Sequence, residues 1–421
     1  MLNITLLVTV TGCIEPFDFE TRNAENVLVV EATITDKMET QQVFLKRASN
    51  LGEVNLLPVD YNPNISTIPI RDLTKYEENA KVSIIDNMGN EYDFTESDSG
   101  TYLSDLAFAS QPGVAYKLQI TTTSNEIVES DFQSVPGKSQ INDLYAERTI
   151  NDEGTEGMAV YLDGEDANGS TNYFRYVYEE TYKIIAPRWT PREFHVIYEG
   201  NSDIGEIPII ELVPRAQEEK TCYGSANSSD ILLANTLNLE SPKIQRNLVR
   251  FIDRDNAILS HRYSILVKQF LQSQESYQYY ERLKSFSNSE SVFSEIQPGF
   301  LEGNLKSSME GEPIIGYFDV ASVSEDRIFF DYIDFFEGED LPPYFFGFNC
   351  DRLLSPPLIR QLGCPEPLPV QIRWEIIEYW DTNDGTANIV AACPGPYIVT
   401  QRICGDCTVL GSNIKPDFWI D

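Results

Sequence analysis

Residues 27–34 read Val-Leu-Val-Val-Glu-Ala-Thr-Ile, and residues 42–45 read Gln-Val-Phe-Leu. Both runs alternate with a period of two and are rich in β-branched residues, which is typical of strands with one buried face. Similar short runs continue to residue 136, separated by turns such as Asn87-Met88-Gly89-Asn90. Short strands broken by Gly and Asn turns are typical of an immunoglobulin-like β-sandwich, so we predict one over residues 26–137.

Strand patterns also dominate the second part of the chain, where residues 173–179 alternate in the same way. One helix is predicted near 273–287, because aromatic and apolar residues there recur at helical spacing. We therefore predict a mainly β fold. The sandwich is followed by a larger β-rich domain at 138–345 with one prominent helix. A disulfide-rich C-terminal segment, 346–421, packs on this second domain.

Length and charge limit the class of protein. The 421 residues are enough for two domains. The 66 acidic and 31 basic residues give a formal net charge of −35. Such a surface repels phosphate backbones, so we predict no nucleic-acid partner. An anionic membrane surface is repelled as well, so attachment to a membrane would depend on a lipid.

The N-terminus carries the pattern of a lipoprotein signal. Val10-Thr11-Gly12-Cys13 follows an apolar run and has the form of a lipobox. We predict that residues 1–12 are a signal peptide, that Cys13 is lipidated, and that residues 13–25 are an acidic tether. Residues 1–12 contain no Lys or Arg, which a secretory signal normally carries, so the start is expected further upstream. No later stretch has the roughly 18 uninterrupted apolar residues of a spanning helix.

Six further cysteines remain after Cys13: Cys222, Cys350, Cys364, Cys393, Cys404 and Cys407. An even number outside the cytosol predicts up to three disulfides, and the pairing is left open. Cys404-Gly405-Asp406-Cys407 is compatible with a disulfide, with half of a zinc site, or with a redox motif. An oxidising location and the lack of a thioredoxin-like context favour disulfides.

The sequence offers poor material for catalysis. There are two histidines, His195 and His261, and neither lies at metal-ligand spacing or beside a nucleophile motif. His195 is interpreted as a strand residue. The loops 163–169 and 381–385 are rich in Asp, Asn and Gly but lack the spacing of a calcium loop, so they are interpreted as turns. We predict no catalytic residue, no metal site and no cofactor.

The feature that most resembles a binding site is a cluster of aromatic residues within 331–348. Rings flanked by carboxylates can stack on sugars or anchor a protein interface. The candidate contact residues are Tyr344, Phe345, Phe346, Phe348, Glu337 and Asp340. Core packing is the favoured alternative for the rings, because Cys350 follows closely, and the loop 337–343 is expected to be exposed.

Several segments resemble a family of Bacteroidota outer-membrane lipoproteins, the domain of unknown function 4249. They are residues 28–32, 222–234, 262–269, 316–320, 404–408 and 415–419, the last two reading Cys-Gly-Asp-Cys-Thr and Lys-Pro-Asp-Phe-Trp. The resemblance implies a surface-exposed outer-membrane lipoprotein of a kind often encoded beside TonB-dependent receptors. It also implies a transthyretin-like or fibronectin-like N-terminal sandwich, and it brings no catalytic residues.

These observations lead to one expected function and two alternatives. We expect a non-catalytic binding or accessory protein that is lipid-anchored in the outer membrane, faces the cell surface and associates with a TonB-dependent β-barrel receptor. The first alternative is a solute-binding lipoprotein for glycan or peptide that uses the aromatic cluster. A hydrolase is the third and least favoured.

Overall fold

The computed structural model describes residues 27–48, 75–201, 204–239, 241–287, 301–309, 313–385 and 393–421. The predicted signal peptide, the lipidation of Cys13 and the tether lie outside these residues. Within them the fold is mainly β and contains several sheets, as predicted.

Among the described residues, nine strands form the N-terminal part, which we call the N-terminal sandwich after its prediction: β1 Leu28–Thr35, β2 Gln42–Arg47, β3 Lys75–Tyr76, β4 Lys81–Asp86, β5 Glu91–Asp98, β6 Thr101–Ser104, β7 Ala115–Thr121, β8 Ile127–Ser130 and β9 Gln133–Ser134. Their hydrogen-bonded order is β1-β2-β6-β5-β4-β7-β8, with β3 paired to β2 and β9 paired to β7. The two runs that open the sequence pattern pair with each other, since β1 and β2 are antiparallel with Ala32 opposite Val43. Likewise β4 and β5 pair across the predicted turn at 87–90.

The middle part continues with β10 Ser139–Ile150, β11 Glu156–Asp166, β12 Tyr173–Ile185, β13 Arg192–Tyr198, β14 Ile209–Pro214, β15 Thr221–Asn227, β16 Leu232–Asn235, β17 Lys243–Asp253 and β18 Arg262–Gln272. The predicted helix is α1, Gln274–Ser287. Two strands follow it, β19 Leu305–Ser307 and the long β20 Ile314–Asp331.

The last part has little regular structure: α2 Tyr332–Phe335, α3 Leu368–Arg373, β21 Ile377–Thr382, β22 Tyr397–Gln401 and α4 Arg402–Gly405. We call residues 350–385 and 393–421 the C-terminal platform. Its disulfides join Cys222 to Cys407, Cys350 to Cys404 and Cys364 to Cys393. All six predicted cysteines are therefore paired, and the first of these bonds ties the platform to β15.

The strand β20 connects the two halves of the molecule. Its first residues run parallel to β1, with Ile314 opposite Leu28, and its last ones run antiparallel to β18. Gly316 has a φ of 150°, and a side chain there would collide with the carbonyl oxygen of Val30, so the close approach to β1 requires glycine. The predicted domain boundaries remain predictions; in the structure, residues 314–321 pair with the N-terminal sheet.

Two large cores lie on either side of this junction. The N-terminal core is mostly aliphatic and is formed by β1, β2, β4, β7 and the start of β20, with Leu45, Ile84 and Leu118 fully buried. The second core lies between the sheet β10-β11-β17 and the strands β12, β18 and β20, and it is rich in aromatic residues. The segment that follows β20 contains the predicted aromatic cluster. This segment lies at the edge of the two layers that enclose the second core.

Candidate functional site

The aromatic cluster begins inside the second core. Tyr332 and Phe336 are buried and their rings stack with centroids 4.5 Å apart. The short helix α2 that carries Tyr332 starts with a capping box formed by Asp331 and Asp334. The start of the cluster therefore packs into the core, which is the alternative that the sequence favoured.

The four candidate contact rings differ in exposure. The Tyr344 hydroxyl donates to the carbonyl oxygen of Ile403 at 3.1 Å, and burial raises the pKa of this phenol. The rings of Phe345 and Tyr182 lie 6.0 Å apart at the core edge. Phe348 is half-buried, whereas Phe346 is 83% exposed. Of these four rings, Phe346 is the one that is open to a ligand.

The loop 337–343 reaches the surface but is held at one point. Glu337 and Asp340 are exposed, as expected for the candidate contact carboxylates. Glu339 lies between two guanidinium groups, 2.7 Å from Arg148 and 2.7 Å from Arg254. The two ion pairs of Glu339 therefore hold the loop against Arg148 and Arg254, and they fix its position.

A cleft of about 370 Å³ lies next to this loop. Four parts of the chain line it: β12, the residues around the start of β18, the segment 331–341, and the last residue. Its lining residues are Lys183, Ile185, Ser260, His261, Arg262, Asp331, Tyr332, Ile333, Leu341 and Asp421. The cleft thus combines apolar walls with cations and carboxylates.

The charges of the cleft are largely matched. Arg262 lies 2.5 Å from Asp331, and Lys183 lies 3.7 Å from Asp421. Burial lowers the pKa of His261 and nearby Lys183 lowers it further, against an opposing effect of Asp331. A ligand that carries both a carboxylate and an amine could exchange for these internal pairs.

The same cleft contains a serine and a histidine, but their geometry is not that of a nucleophile and its base. The Ser260 hydroxyl donates to the carbonyl oxygen of Ala257 at 2.7 Å. An activated serine would instead donate to the imidazole. The arrangement is suited to binding polar and apolar groups together.

The two cysteines of the Cys-x-x-Cys sequence belong to different disulfides. Cys404 pairs with Cys350, and Cys407 pairs with Cys222. The structure therefore agrees with the disulfide interpretation and places the motif at the point where two bonds hold the C-terminal platform.

The acidic loops are turns only in part: residues 163–166 end β11 and the chain turns at 167–168, whereas residues 381–382 end β21 and 383–385 form no regular turn. The Asp166 carboxylate accepts hydrogen bonds from the backbone N–H groups of Lys138, Asn168 and Ser170, at 2.6–2.9 Å. In the other loop, the Asn383 amide donates to the carbonyl oxygen of Gly395 at 2.9 Å. Among the residues that the structure describes, no group of three His, Cys, Asp or Glu residues could hold a metal ion.

The strands β13 and β14 form a two-stranded hairpin that sequence reasoning missed as a functional feature. It contains His195, which is a strand residue as interpreted. Its exposed apolar side chains are Ile197, Tyr198, Ile204, Ile207 and Ile209. We call these five side chains the isoleucine patch.

The opposite face of this hairpin rests on the C-terminal platform. The Phe194 ring makes edge contacts with Tyr379 at 5.5 Å and with Tyr397 at 5.4 Å. Ile210 packs in the same small core, beside Leu368 and Val399. The platform therefore supports one face of the hairpin and leaves the other to solvent.

A buried arginine fixes the end of the hairpin. Arg215 pairs with Glu219 and, at 2.5 Å, with Glu378 of β21, while its Nε donates to the carbonyl oxygen of Thr190. Burial raises the pKa of Glu378, and Arg215 lowers it part of the way back. Breaking this arrangement would leave a charge in a desolvated position.

The cleft and the isoleucine patch differ in how a sequence could have revealed them. The cleft assembles residues from four distant parts of the chain, so no local pattern marks it. The patch has a local signal: within 197–210 five isoleucines stand among acidic residues and two glycines, which is unusual for an exposed turn.

Comparison with known protein families gives a match. A family model described as "Domain of unknown function (DUF4249)" matches residues 14–327, which is most of the chain and ends before the C-terminal platform. The comparison with curated proteins found no match. Across the described residues, none of the helices has the length and apolar character needed to cross a membrane.

Proposed function

We propose a function from one premise: the chain belongs to the family described as Domain of unknown function (DUF4249). It is a lipid-anchored outer-membrane protein of a Bacteroidota species that faces the cell surface. It does not catalyse a reaction but binds, as an accessory to a TonB-dependent β-barrel receptor.

The proposed location is supported by the sequence and the disulfides together. The lipobox at Val10–Cys13 supplies an anchor, and several acyl chains hold a protein stably on a membrane. Three disulfides among the described residues fit an oxidising compartment. The charge of −35 gives the protein no electrostatic attraction to an anionic membrane, so the lipid would carry the attachment.

The isoleucine patch is the observation that carries the binding proposal. A contiguous exposed apolar patch bordered by polar residues commonly marks an interaction site on a folded protein. Ile204 is 69% exposed and Ile207 is 61% exposed, and the hairpin that carries them is fixed from behind by the platform. A rigid apolar surface costs little ordering entropy when it binds.

The accessory role is tested by co-purification. The full chain is extracted from its native membranes with a mild detergent, and the proteins recovered with it are identified by mass spectrometry. We expect a TonB-dependent β-barrel receptor at near-stoichiometric amount. Recovery of the chain without any β-barrel partner contradicts the role.

The anchor is tested separately by labelling cells with a palmitate analogue. The wild-type chain is expected to take up the label, and a Cys13→Ser variant is expected to take up none. Label on the variant, or none on the wild type, contradicts lipidation at Cys13.

The cleft favours a second candidate function, the binding of a peptide or glycan. Its paired charges, Arg262 with Asp331 and Lys183 with Asp421, would suit the two termini of a short peptide. Calorimetry of an acyl-free chain with peptide and glycan libraries tests this, with Leu341→Ser in the cleft wall and Phe346→Ala at the exposed ring beyond the loop as variants. Tyr344→Ala is a poor probe because its hydroxyl holds Ile403. No heat from either library contradicts this function.

A further inference from the structure

We infer that the outward face of the hairpin Arg192–Pro214 is the docking surface for a protein partner whose contact area has an apolar centre and a rim of Lys and Arg. This inference rests on the proposed function, in which that partner is the outer-membrane receptor. It deepens the proposal, since it names the contact surface and the chemistry of the partner.

The register of the hairpin separates its two faces. Phe194 lies opposite Leu212, and Val196 lies opposite Ile210, so these four side chains share the face that contacts the platform. His195 lies opposite Glu211 on the other face. The register shifts between Val196 and Tyr198, so Ile197 stands at a β-bulge, and its exposure of 53% places it with Tyr198 on the outward face.

The outward face has an apolar centre. Ile197 and Ile209 are each 53% exposed, and Tyr198 lies opposite Ile209 across the two strands. Ile204 and Ile207, in the segment between the two strands, are 69% and 61% exposed. Behind the hairpin, Leu368, Ile377 and Val399 form the small core of the platform.

The rim of this surface is acidic. Among the described residues of the stretch 192–214, four are acidic, Glu193, Glu199, Glu206 and Glu211, and one is basic, Arg192; Glu199 is paired with Arg373 of α3. Glu211 is exposed beside the isoleucine patch. An apolar centre with an acidic rim is complementary to an apolar surface with a basic rim, and such complementarity sets partner choice and the association rate.

The same charges argue against two other occupants. An anionic lipid surface would repel the acidic rim, which disfavours insertion of the tip into a membrane. A second copy of this chain would bring the same acidic rim and another net charge of −35, so self-association is opposed by like-charge repulsion.

The platform gives this surface a fixed position. Glu199, next to the patch, is paired with Arg373 of α3 at 2.6 Å. Arg188, just before β13, donates from its Nε to the carbonyl oxygen of Cys350, and its backbone N–H donates to that of Cys404. The disulfide between Cys350 and Cys404 therefore lies where the chain enters the hairpin. The C-terminal platform supports the hairpin at this point.

The test uses the full chain and the co-purification described above. An Ile197→Ser/Ile207→Ser variant removes apolar area from the patch. A Met88→Ser/Leu106→Ser variant is the matched control, since both of its residues are strongly exposed on the N-terminal sandwich. We expect the patch variant to recover at least tenfold less receptor, and the control variant to recover as much as wild type.

A second variant tests the rim. Glu193→Lys/Glu211→Lys reverses two charges, and we expect it to reduce receptor recovery as well. Wild-type recovery should fall as NaCl is raised from 0.05 to 0.5 M during the wash, because salt screens complementary charges. Full recovery by the charge-reversed variant, or recovery by the wild type that salt does not change, contradicts a basic rim on the partner.

The outcomes distinguish the inference from the proposed function. If the wild-type chain and the patch variant recover the receptor equally, the docking surface is wrong and the accessory role stands. If the wild-type chain recovers no β-barrel, the accessory role fails and this choice of partner fails with it. Two other results would contradict a protein partner of this chemistry. One is dimerisation of an acyl-free chain, and the other is its sedimentation with phosphatidylglycerol vesicles, in each case with loss of the effect in the patch variant.

Discussion

The N-terminal sandwich and the C-terminal platform are stabilised in different ways. The sandwich encloses one aliphatic core in which Leu45, Ile84 and Leu118 are fully buried, and its described residues contain no disulfide. The platform has a small core around Leu368 and Val399 and takes part in all three disulfides. A region with long strands can bury enough apolar area to fold, whereas a region with short elements depends on covalent bonds.

The difference in how the two regions are stabilised also bears on function. The platform is the part that supports the hairpin, and it lies outside the residues that the family model matches. A support fixed by disulfides resists local opening, so the surface that it presents stays ordered before a partner binds. We therefore interpret the sandwich as the structural body of the molecule and the platform as the support of the proposed docking surface.

The largest expected effect is on the sandwich core. Phe318 of β20 is fully buried among β1 and β2 residues although it lies far from them in the sequence. Phe318→Ala is expected to lower the free energy of unfolding by about 3–5 kcal/mol, because it removes a large apolar side chain and leaves a cavity. Urea unfolding checks this, with the exposed Phe346→Ala as the control, for which a change within about 0.5 kcal/mol is expected. Equal losses of stability in the two variants would contradict the packing of Phe318 into the core that β1 and β2 form.

The next effect separates the platform from the sandwich. Cys222 and Cys407 are fully buried, and their bond links residues 185 positions apart. A Cys222→Ala/Cys407→Ala variant is expected to lose about 2–5 kcal/mol, because the unfolded chain gains conformational freedom. Limited proteolysis should then cut within 404–421 and leave the sandwich intact.

The bond between Cys364 and Cys393 is the matched control for this variant. It closes a loop of 29 residues, and both cysteines are half-buried. A Cys364→Ser/Cys393→Ser variant should lose less stability than the variant without the long loop. A larger loss from the short loop would mean that the platform is not held by its link to β15.

The smallest effect concerns a turn of the sandwich. The Asp86 carboxylate accepts hydrogen bonds from the backbone N–H groups of Met88 and Asn90 and from the Asn90 side chain. Burial raises the pKa of Asp86, but these hydrogen bonds outweigh it and lower the pKa below its ordinary value. The contribution to stability is then full above about pH 4, the ordinary value of the unfolded chain, and is lost as the pH falls through the folded pKa.

Asp86→Asn tests this turn by urea unfolding at pH 7 and at pH 3. We expect the variant to be less stable than wild type at pH 7 and the difference to shrink at pH 3, which is below the ordinary pKa of the carboxyl in the unfolded chain. A difference that is the same at both pH values would contradict the role of the ionised carboxylate.

Local patterns predicted the strands well. The alternating runs at 27–34 and 42–45 became β1 and β2, and the turn at 87–90 joins β4 to β5. The helix near 273–287 is α1. These elements are recoverable because the period of buried residues and the turn chemistry both lie within a few residues of each other.

Long-range pairings could not be predicted in the same way. The start of β20 runs parallel to β1, and no local feature of either segment indicates that the two strands pair. The cysteine count predicted up to three disulfides but left 15 possible pairings, because connectivity depends on the final fold. The cleft beside Leu341 is likewise a product of topology, since its cations come from β12 and β18.

The candidate contact residues show the same limit. The sequence predicted an exposed loop and carboxylates at Glu337 and Asp340, and the structure places both at the surface. It could not tell that Tyr344 would turn inward to Ile403 while Phe346, two residues later, would stay exposed. The direction of each ring is set by packing partners that are distant in sequence.

The central claim is that the disulfide-held platform fixes the hairpin for docking, and hydrogen exchange tests it most directly. A Cys350→Ser/Cys404→Ser variant removes the bond at the hairpin entry, and amide exchange is compared with wild type at pH 7. We predict at least tenfold faster exchange in Arg192–Tyr198 and Ile209–Pro214, with unchanged protection in Leu28–Thr35 and Ala115–Thr121 of the sandwich. Unchanged exchange in the hairpin, or equal acceleration in the sandwich strands, would contradict the claim.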